Sequence, residues 1–253
     1  MLKIDLNCDM GESTSLWPYN ISHDISLLPH ISSINLACGY HAGDPDTAAK
    51  LMKEALSRNI AVGAHPSFPG RENFGRVQMH LDEKELYQVI YDQIAFIASL
   101  AISNGLRLQH VKPHGALYNM AAKDHRLAFI VCSAVQSYDE DLIIYGLSGS
   151  EIIKVARSMG LRSCNEVFAD RTYNDNGSLI PRTQKEALIE DEEQCIQQVL
   201  QLVEQGTVCT LNGNSIPLGV DTICLHSDGK HSLRFAKVIH ETLHQHGIDI
   251  SHP

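Results

Sequence analysis

The chain has 253 residues, 43% of them hydrophobic, enough to bury a sizeable core as one α/β barrel or as two smaller domains. Its 20 Lys and Arg against 30 Asp and Glu give a formal charge of -10 at pH 7, with no basic tract, which argues against nucleic acid and anionic membrane surfaces as partners. No apolar run approaches the ~20 residues of a membrane span, and the opening stretch MLKIDLNCDM lacks a signal-peptide pattern, so the cytoplasm is the expected address.

Residues 2–8, LKIDLNC, alternate as a strand does, with Asp5, Asn7 and Asp9 on one side and Leu6 and Cys8 on the other. An irregular loop around Trp17, Pro18 and Tyr19 leads into a short helix near 23–30. Residues 34–38 read as a buried strand. Gly39, His41, Gly43 and Asp44-Pro45 follow, with Asp44 as N-cap and Pro45 at the first position of a helix over 47–58. A strand over 60–64 runs into HPSFPG and NFGR, a loop of about fifteen residues where ~4–6 is typical, and long ordered loops tend to be functional.

The next helix spans 81–104, with apolar residues at 86, 89, 90, 94, 97 and 100, and stops at Gly105. A strand over 106–111 leads into Lys112-Pro113-His114-Gly115; a helix over 126–137, a strand over 142–147 and a helix over 150–159 come next. The strand over 163–168 delivers Glu166, Asp170 and Arg171, then a loop over 173–182 and a helix over 190–205. Asn212-Gly213 marks a hairpin between 207–211 and 215–218, and a last strand over 220–225 precedes His226, Asp228 and a helix over 233–246. Seven cysteines show no CxxC spacing, and Cys38, Cys209 and Cys224, in strand-like runs, are expected to be buried free thiols.

Seven apolar strands alternating with helices imply a parallel sheet, closed as a barrel or doubly wound. Asp9, His41, His65, His114, Asp170 and His226 each fall just after the carboxyl end of a different strand, so closure gathers them at one mouth, the face that carries chemistry in such folds. His125, His231, His240, His244 and His246 follow no strand and are left to solvent. Arg76, Arg171 and Arg182 can pair with surface carboxylates or clamp a substrate carboxylate; Lys112 is a solvated amine or a charge held near a reacting oxygen. Two kinds of work suit these residues. Asp9, His41 and His65 can form an open N/O site for zinc or another divalent ion that generates hydroxide, or the carboxylates and imidazoles can serve as general acid and base without metal. No GxxxxGK[ST], GxGxxG or GxSxG is present, so nucleotide binding has no motif of its own here.

Taken together, DLNCDMGES at 5–13, NLACGYHAGDP at 35–45, GAHPSFPG at 63–70, NFGR at 73–76, VKPHGALYN at 111–119, EVFADRTY at 166–173 and ICLHSD at 223–228 resemble the LamB/YcsF family nearly end to end. The resemblance implies an α/β fold, a seven-stranded (β/α) barrel related to the glycoside hydrolase and deacetylase barrels, with residues 1–253 as a single catalytic domain. It implies one component of an ATP-dependent 5-oxoprolinase, which opens the lactam of 5-oxo-L-proline to L-glutamate with partner subunits B and C, ATP and Mg2+ being used with those partners. It also implies a site: Asp9, His41, His65, Lys112, His114, Asp170 and His226 as catalytic, and Asp5, Asn7, Glu12, Asn35, Asp44, Glu166, Arg171 and Asp228 as substrate-binding, to which the loop arginine Arg76 is added as a substrate-binding candidate from its position. Three stretches depart from the family pattern: Ser227 and Gly229 in the last motif, Gly70 to Asn73 before FGR, and Val77 after Arg76. A stand-alone deacetylase or amidohydrolase using a divalent metal such as Zn2+, and a non-catalytic binding component of a larger complex, are the alternatives.

Overall fold

The computed structural model describes residues 2–16, 18, 20–227 and 232–253; Trp17, Tyr19, Asp228, Gly229 and His231 lie outside the described residues. The strands in chain order are β1 (Lys3–Met10), β2 (Ser33–Ala37), β3 (Ala61–His65), β4 (His110–Val111), β5 (Ile143–Leu147), β6 (Ser163–Phe168), β7 (Thr207–Cys209), β8 (Ser215–Pro217), β9 (Thr222–His226) and β10 (Asp249–Ile250). The helices are α1 (Ile21–Leu27), α2 (Pro45–Ser57), α3 (Glu83–Ser103), α4 (Gly115–Ala121), α5 (His125–Tyr138), α6 (Glu151–Ser158), α7 (Glu192–Leu200) and α8 (Ser232–Gln245).

Strands β1 to β6 pair in sequence, all parallel, β9 adds to β6, and β9 pairs with β1, so a seven-stranded barrel closes. The register levels the strand ends at one rim: Asp9 stands opposite Asn35 on β2 and His226 on β9, and Ala37 stands opposite His65. Alternation decides what each strand shows to either side. Ile4, Leu6, Cys8 and Met10 of β1 join Ile34, Leu36, Val62, Ala64, Val111, Ile144, Val167, Ile223 and Leu225 in the layer beneath the helices. The opposite faces of the same strands put Asp5, Asn7, Asp9, Ser33, Asn35, His65, His110, Glu166 and Thr222 inside the barrel, all buried. The apolar core is therefore the shell between strands and helices, whereas the barrel interior is polar, unlike the layers of branched apolar residues usual in eight-stranded barrels.

Four helices start on an aspartate. Asp44, Asp82, Asp124 and Asp191 accept the N–H of Thr47, Glu85, Leu127 and Gln194, satisfying a donor that the helix itself leaves unpaired and contributing about 1 kcal/mol each. By length and composition α3 is apolar enough to cross a membrane, against the expectation of no such run. It packs instead on α2, α5 and β3, burying Leu86, Ile90, Ile94 and Ile97.

Five features differ from the sequence expectations. β4 begins at His110 and not at 106, because the chain leaves α3 through the left-handed Gly105 with the Leu106 N–H still bonded to Ala101, and first reaches β3 when Gln109 N–H meets Val62. The motif after it forms α4, and two residues of β10 pair with Lys3 and Ile4 below the barrel, a strand too short to leave a pattern. Cys209 is exposed because it lies on the β7–β8 hairpin, outside the barrel, whereas Cys38 and Cys224 are buried as expected. His240 is partly buried, its Nδ1 on the His30 carbonyl, while His125, His244 and His246 are exposed.

Candidate active site

The polar interior is layered. At the floor, the carboxylate of Asp5 accepts hydroxyl bonds from Ser32 (2.7 Å) and Ser33 (2.6 Å) on one oxygen and from Tyr145 (2.9 Å) and Thr222 (2.6 Å) on the other. Burial still raises its pKa, since four neutral dipoles replace bulk water incompletely. Above it, Asn7 Nδ2 donates to Thr222 (2.7 Å) and Glu166 (3.0 Å), and its Oδ1 accepts from Asn35 (2.7 Å). Asn35 Nδ2 also donates to Asp9 Oδ1 (2.8 Å), while its Oδ1 faces His110 Nε2 at 2.7 Å. Burial and then the Lys112 charge push the His110 pKa to about 3, so this imidazole is neutral and Nε2–H is its donor to Asn35. The ring stacks on Tyr145, with centroids 4.1 Å apart, and fits because Gly63 faces it: a Cβ there would lie 2.2 Å from the imidazole.

Lys112 is no solvated amine. It is buried, and its Nζ contacts Glu166 Oε1 (2.7 Å), Asp9 Oδ1 (2.9 Å) and Cys224 Sγ (3.0 Å). Burial works to lower its pKa, yet Asp9, Cys224 and Glu166 hold it well above the usual lysine value. A charged ammonium thus fixes one oxygen of Asp9 and leaves the other turned to the mouth.

There three imidazoles meet. His65 Nδ1 donates to the Lys112 carbonyl (2.7 Å), so in the neutral ring Nε2 carries the lone pair, 3.3 Å from Asp9 Oδ2 and 2.9 Å from His114 Nδ1. His114 Nε2 donates to the Phe74 carbonyl (3.0 Å), which turns the Nδ1 lone pair to Glu12 Oε1 at 3.1 Å. Ser67 gives its own hydroxyl proton to the Phe68 carbonyl, so it accepts from His41 Nδ1 (2.9 Å), and His41 Nε2 is the lone-pair side, 3.0 Å from Glu12 Oε1. With the rings neutral these lone pairs face carboxylate oxygens, so a shared proton or a cation has to stand between them. The Asp9 and Glu12 carboxyls, although burial favours their neutral form, lie well below the usual range, held there by His65 and Lys112 and by His114 and His41 respectively. For His65 burial works against the charge but Asp9 outweighs it and raises the pKa, while burial and then His114 hold His41 down to about 3.

The donor set fits a divalent ion. Ligand atoms of Asp9, His65 and His114, and likewise of Glu12, His41 and His114, lie within 4.8 Å of one another. Each imidazole has its far nitrogen tied to a carbonyl or hydroxyl, the outer contact that metal-binding histidines typically make. Zinc bonds of about 2.0–2.2 Å place neighbouring ligand atoms roughly 3–3.5 Å apart, the range occupied here by the His65–Asp9 and His114–Glu12 pairs, at 3.3 and 3.1 Å. The expected trio is divided between these groups: Asp9 and His65 fall in the first, His41 in the second with Glu12, and His114 is common to both.

On the opposite side of the mouth, His226 Nδ1 is held by both oxygens of Asp170, at 2.9 and 3.0 Å, and the ring stacks on Phe168. Burial opposes it, but the His226 contact lowers the Asp170 pKa. His226 lines a pocket together with Asp9, Glu12, His65, Lys112 and His114, and Arg76, Arg171 and Arg182 border the same space.

The profile of the LamB/YcsF family matches residues 4–253. The chain belongs to that family. It is 48% identical over 247 residues to a Bordetella parapertussis protein named as a 5-oxoprolinase component, covering 98% of this chain and 97% of that protein. The crystal structure of "Lactam Utilization Protein" from Thermus thermophilus superposes with a TM-score of 0.91 at 37% identity, over 99% of both chains. A family 4 carbohydrate esterase from Streptomyces lividans shares the fold alone, with a TM-score of 0.51 at 13% identity over 98% of this chain and 91% of that one.

In this LamB/YcsF chain the site residues anticipated from sequence separate into three groups. Asp9, Glu12, His41, His65, Lys112, His114, Asp170 and His226 meet at the mouth, with Arg76 and Arg171 along its border. Asn7, Asn35 and Glu166 lie beneath as supports, and Asp5 lies deeper still, at the floor. Asp44 is exposed and outside the pocket, both its oxygens engaged by Thr47 as the cap of α2, and Asp228 falls outside the described residues. Sequence reasoning passed over His110, Ser67, Gln93, Tyr118 and Phe168. His110 was findable, standing two residues before Lys112 on the same strand face. Gln93 was not: it reaches back from α3 to bond the Ser67 backbone at both N–H (2.9 Å) and C=O (2.8 Å).

Proposed function

We propose that this chain is the lactam-binding component of an ATP-dependent 5-oxoprolinase, acting with partner subunits B and C to open 5-oxo-L-proline to L-glutamate. The observation that carries the proposal is the pairing, across one pocket, of the Asp9–Glu12–His65–His114 donor cluster with an aspartate-held imidazole, His226. The name and coverage of the Bordetella parapertussis relative support the substrate. No nucleotide-binding motif is present, so ATP and Mg2+ enter with the partner subunits.

Opening a stable γ-lactam needs its oxygen polarised, a water activated and the ring nitrogen protonated. His226 is the proton carrier: Asp170 holds Nδ1, leaving Nε2 to take a proton from water and return it to the departing nitrogen. Lys112, fixed between Asp9 and Glu166, keeps Asp9 ionised and oriented. Asp9, His65 and His114, with Glu12 and His41 beside them, would hold a divalent ion such as Zn2+, which when bound supplies Lewis acidity toward the lactam oxygen or water.

The test is ATP-dependent glutamate release by the chain reconstituted with its partners. Turnover is expected from the complex and not from the isolated chain; full turnover by the isolated chain with ATP and Mg2+ would refute the dependence on partners, and none from the complex would refute the substrate. The same donor cluster favours a second reading, a stand-alone metal-dependent amidohydrolase. Chelator-sensitive acetate release from N-acetyl substrates by the isolated chain would favour it.

A further inference from the structure

The lining of the pocket is of two kinds. Asp9, His65, His114 and His226 bring polar atoms to it, whereas Phe168, Tyr118 and Leu179 bring apolar surface. Phe168 lays its ring along His226, with centroids 5.6 Å apart, and meets Tyr118 edge-on at 5.9 Å. Tyr118 buries its hydroxyl, whose pKa burial and then Glu166 raise well above the usual value, so it lends the pocket its ring and not its oxygen. Leu179, half-buried, packs on the same apolar cluster and is the one branched aliphatic side chain among the described residues of the lining.

Leu179 belongs to a loop, yet to one that is pinned throughout. Residues 172–180 double back as a short ribbon: Tyr173 and Leu179 form a backbone bridge, Asn174 N–H donates to the Ser178 carbonyl (2.8 Å), and Ile180 N–H donates to the Thr172 carbonyl (3.0 Å). Gly177, at φ 80°, permits the reversal. At the inner end Tyr173 is buried, and its hydroxyl accepts the Phe168 N–H (2.7 Å). At the tip the Asp175 carboxylate accepts from Thr210 and Asn212 of the β7–β8 hairpin. The wall that Leu179 forms therefore has little freedom to retreat.

A lactam ring carries its N–H and C=O on one edge and its methylene groups on the other. With the amide edge on the polar lining, the methylenes turn to the apolar part. We infer that Leu179 sets the ring size, its side chain bounding the apolar wall so that a five-membered lactam fits and its six-membered homologue does not. One more methylene pressed against a pinned side chain forces strained rotamers or backbone shifts. The inference rests on the lactam reading of the site and names the residue that discriminates ring sizes within that class.

The experiment compares kcat/KM of the reconstituted complex for 5-oxo-L-proline, opened to glutamate, and for 6-oxopiperidine-2-carboxylate, its homologue with one more ring methylene, opened to 2-aminoadipate. The wild type should prefer the smaller ring by about 10–200-fold, the range for one methylene in an apolar pocket, and Leu179→Ala should narrow that ratio by about tenfold or more. Leu179→Met, of similar volume, should keep it, and thermal melting of each variant controls for folding. Differences in intrinsic ring reactivity cancel when variants are compared. An unchanged ratio in Leu179→Ala, a loss by the same factor for both rings, or no preference in the wild type overturns the role of Leu179 and leaves the lactam reading standing. Opening of neither ring by the wild-type complex overturns both.

Discussion

His41 and His114 lie face to face, ring centroids 3.9 Å apart and planes within 4° of parallel, and both aim a ring nitrogen at the same oxygen of Glu12. Two stacked imidazolium ions would repel, and burial already holds the His41 pKa to about 3, so protons on both rings are a poor way to neutralise Glu12. A divalent ion is the better one. The purified protein should contain close to one such ion per chain by elemental analysis, lost in His65→Ala and His114→Ala and kept in His226→Ala. Metal content that is absent, or indifferent to His65 and His114, would remove the ion from the mechanism.

The contact behind His41 predicts an effect at one remove. Ser67 fixes the imidazole by accepting from Nδ1, so Ser67→Ala should weaken metal affinity by about 10–100-fold without removing any ligand. Competition with a chromogenic chelator reads this directly, and an unchanged constant would show that the ring is oriented by stacking alone.

Lys112→Met leaves Asp9 and Glu166 buried without their shared cation. A loss of about 3–5 kcal/mol in unfolding free energy is expected, the cost typical of breaking a buried pair from one side. Urea denaturation measures it, and a loss below about 1 kcal/mol would mean that a bound ion or water compensates.

Asp170→Asn should keep the fold and lower kcat of the reconstituted complex on the order of 10²–10⁴-fold with KM little changed, because the amide no longer fixes His226 Nδ1 as a donor and the ring loses the orientation that presents Nε2. Equal falls in kcat and in substrate affinity would point to a structural role instead.

Asp5 gives a pH prediction. Its folded-state pKa is raised above the ~3.9 of an unfolded aspartate, so the folded state binds this proton more tightly. The resulting stability is fully present below ~3.9 and is lost as pH rises through the folded-state value. Relative to Asp5→Asn, the wild type should therefore become less stable as pH rises from 4 toward neutrality; the opposite slope in paired denaturation curves would refute the assignment.

The rim of the barrel was legible because position carried it: His65 and His226 end strands, Asp9 stands one residue before the end of β1, and His41, His114 and Asp170 follow strands within a few residues. The interior was less so. Alternation in DLNCD places Asp5, Asn7 and Asp9 on one face, yet nothing in the pattern says that this face turns inward, since burial of a polar row depends on partners such as Ser33, Tyr145 and Thr222 from other strands. The tautomers of His65 and His114 were beyond reach, being set by the carbonyls of Lys112 and Phe74, backbone groups whose placement is a property of the closed barrel. Asp44 carried two signals at once, a helix cap and a family motif, and in the structure its carboxylate serves the cap.

The missing side chain at Gly63 and the imidazole of His110 occupy one volume from two strands. Neither position can drift alone: a methyl group at the first evicts the ring, and the ring is what turns the Asn35 amide toward Asp9. A viable descendant with a larger residue at 63 would have to carry a smaller one at 110 and a new donor for Asn35, so sequence change here is expected to come in linked sets of three.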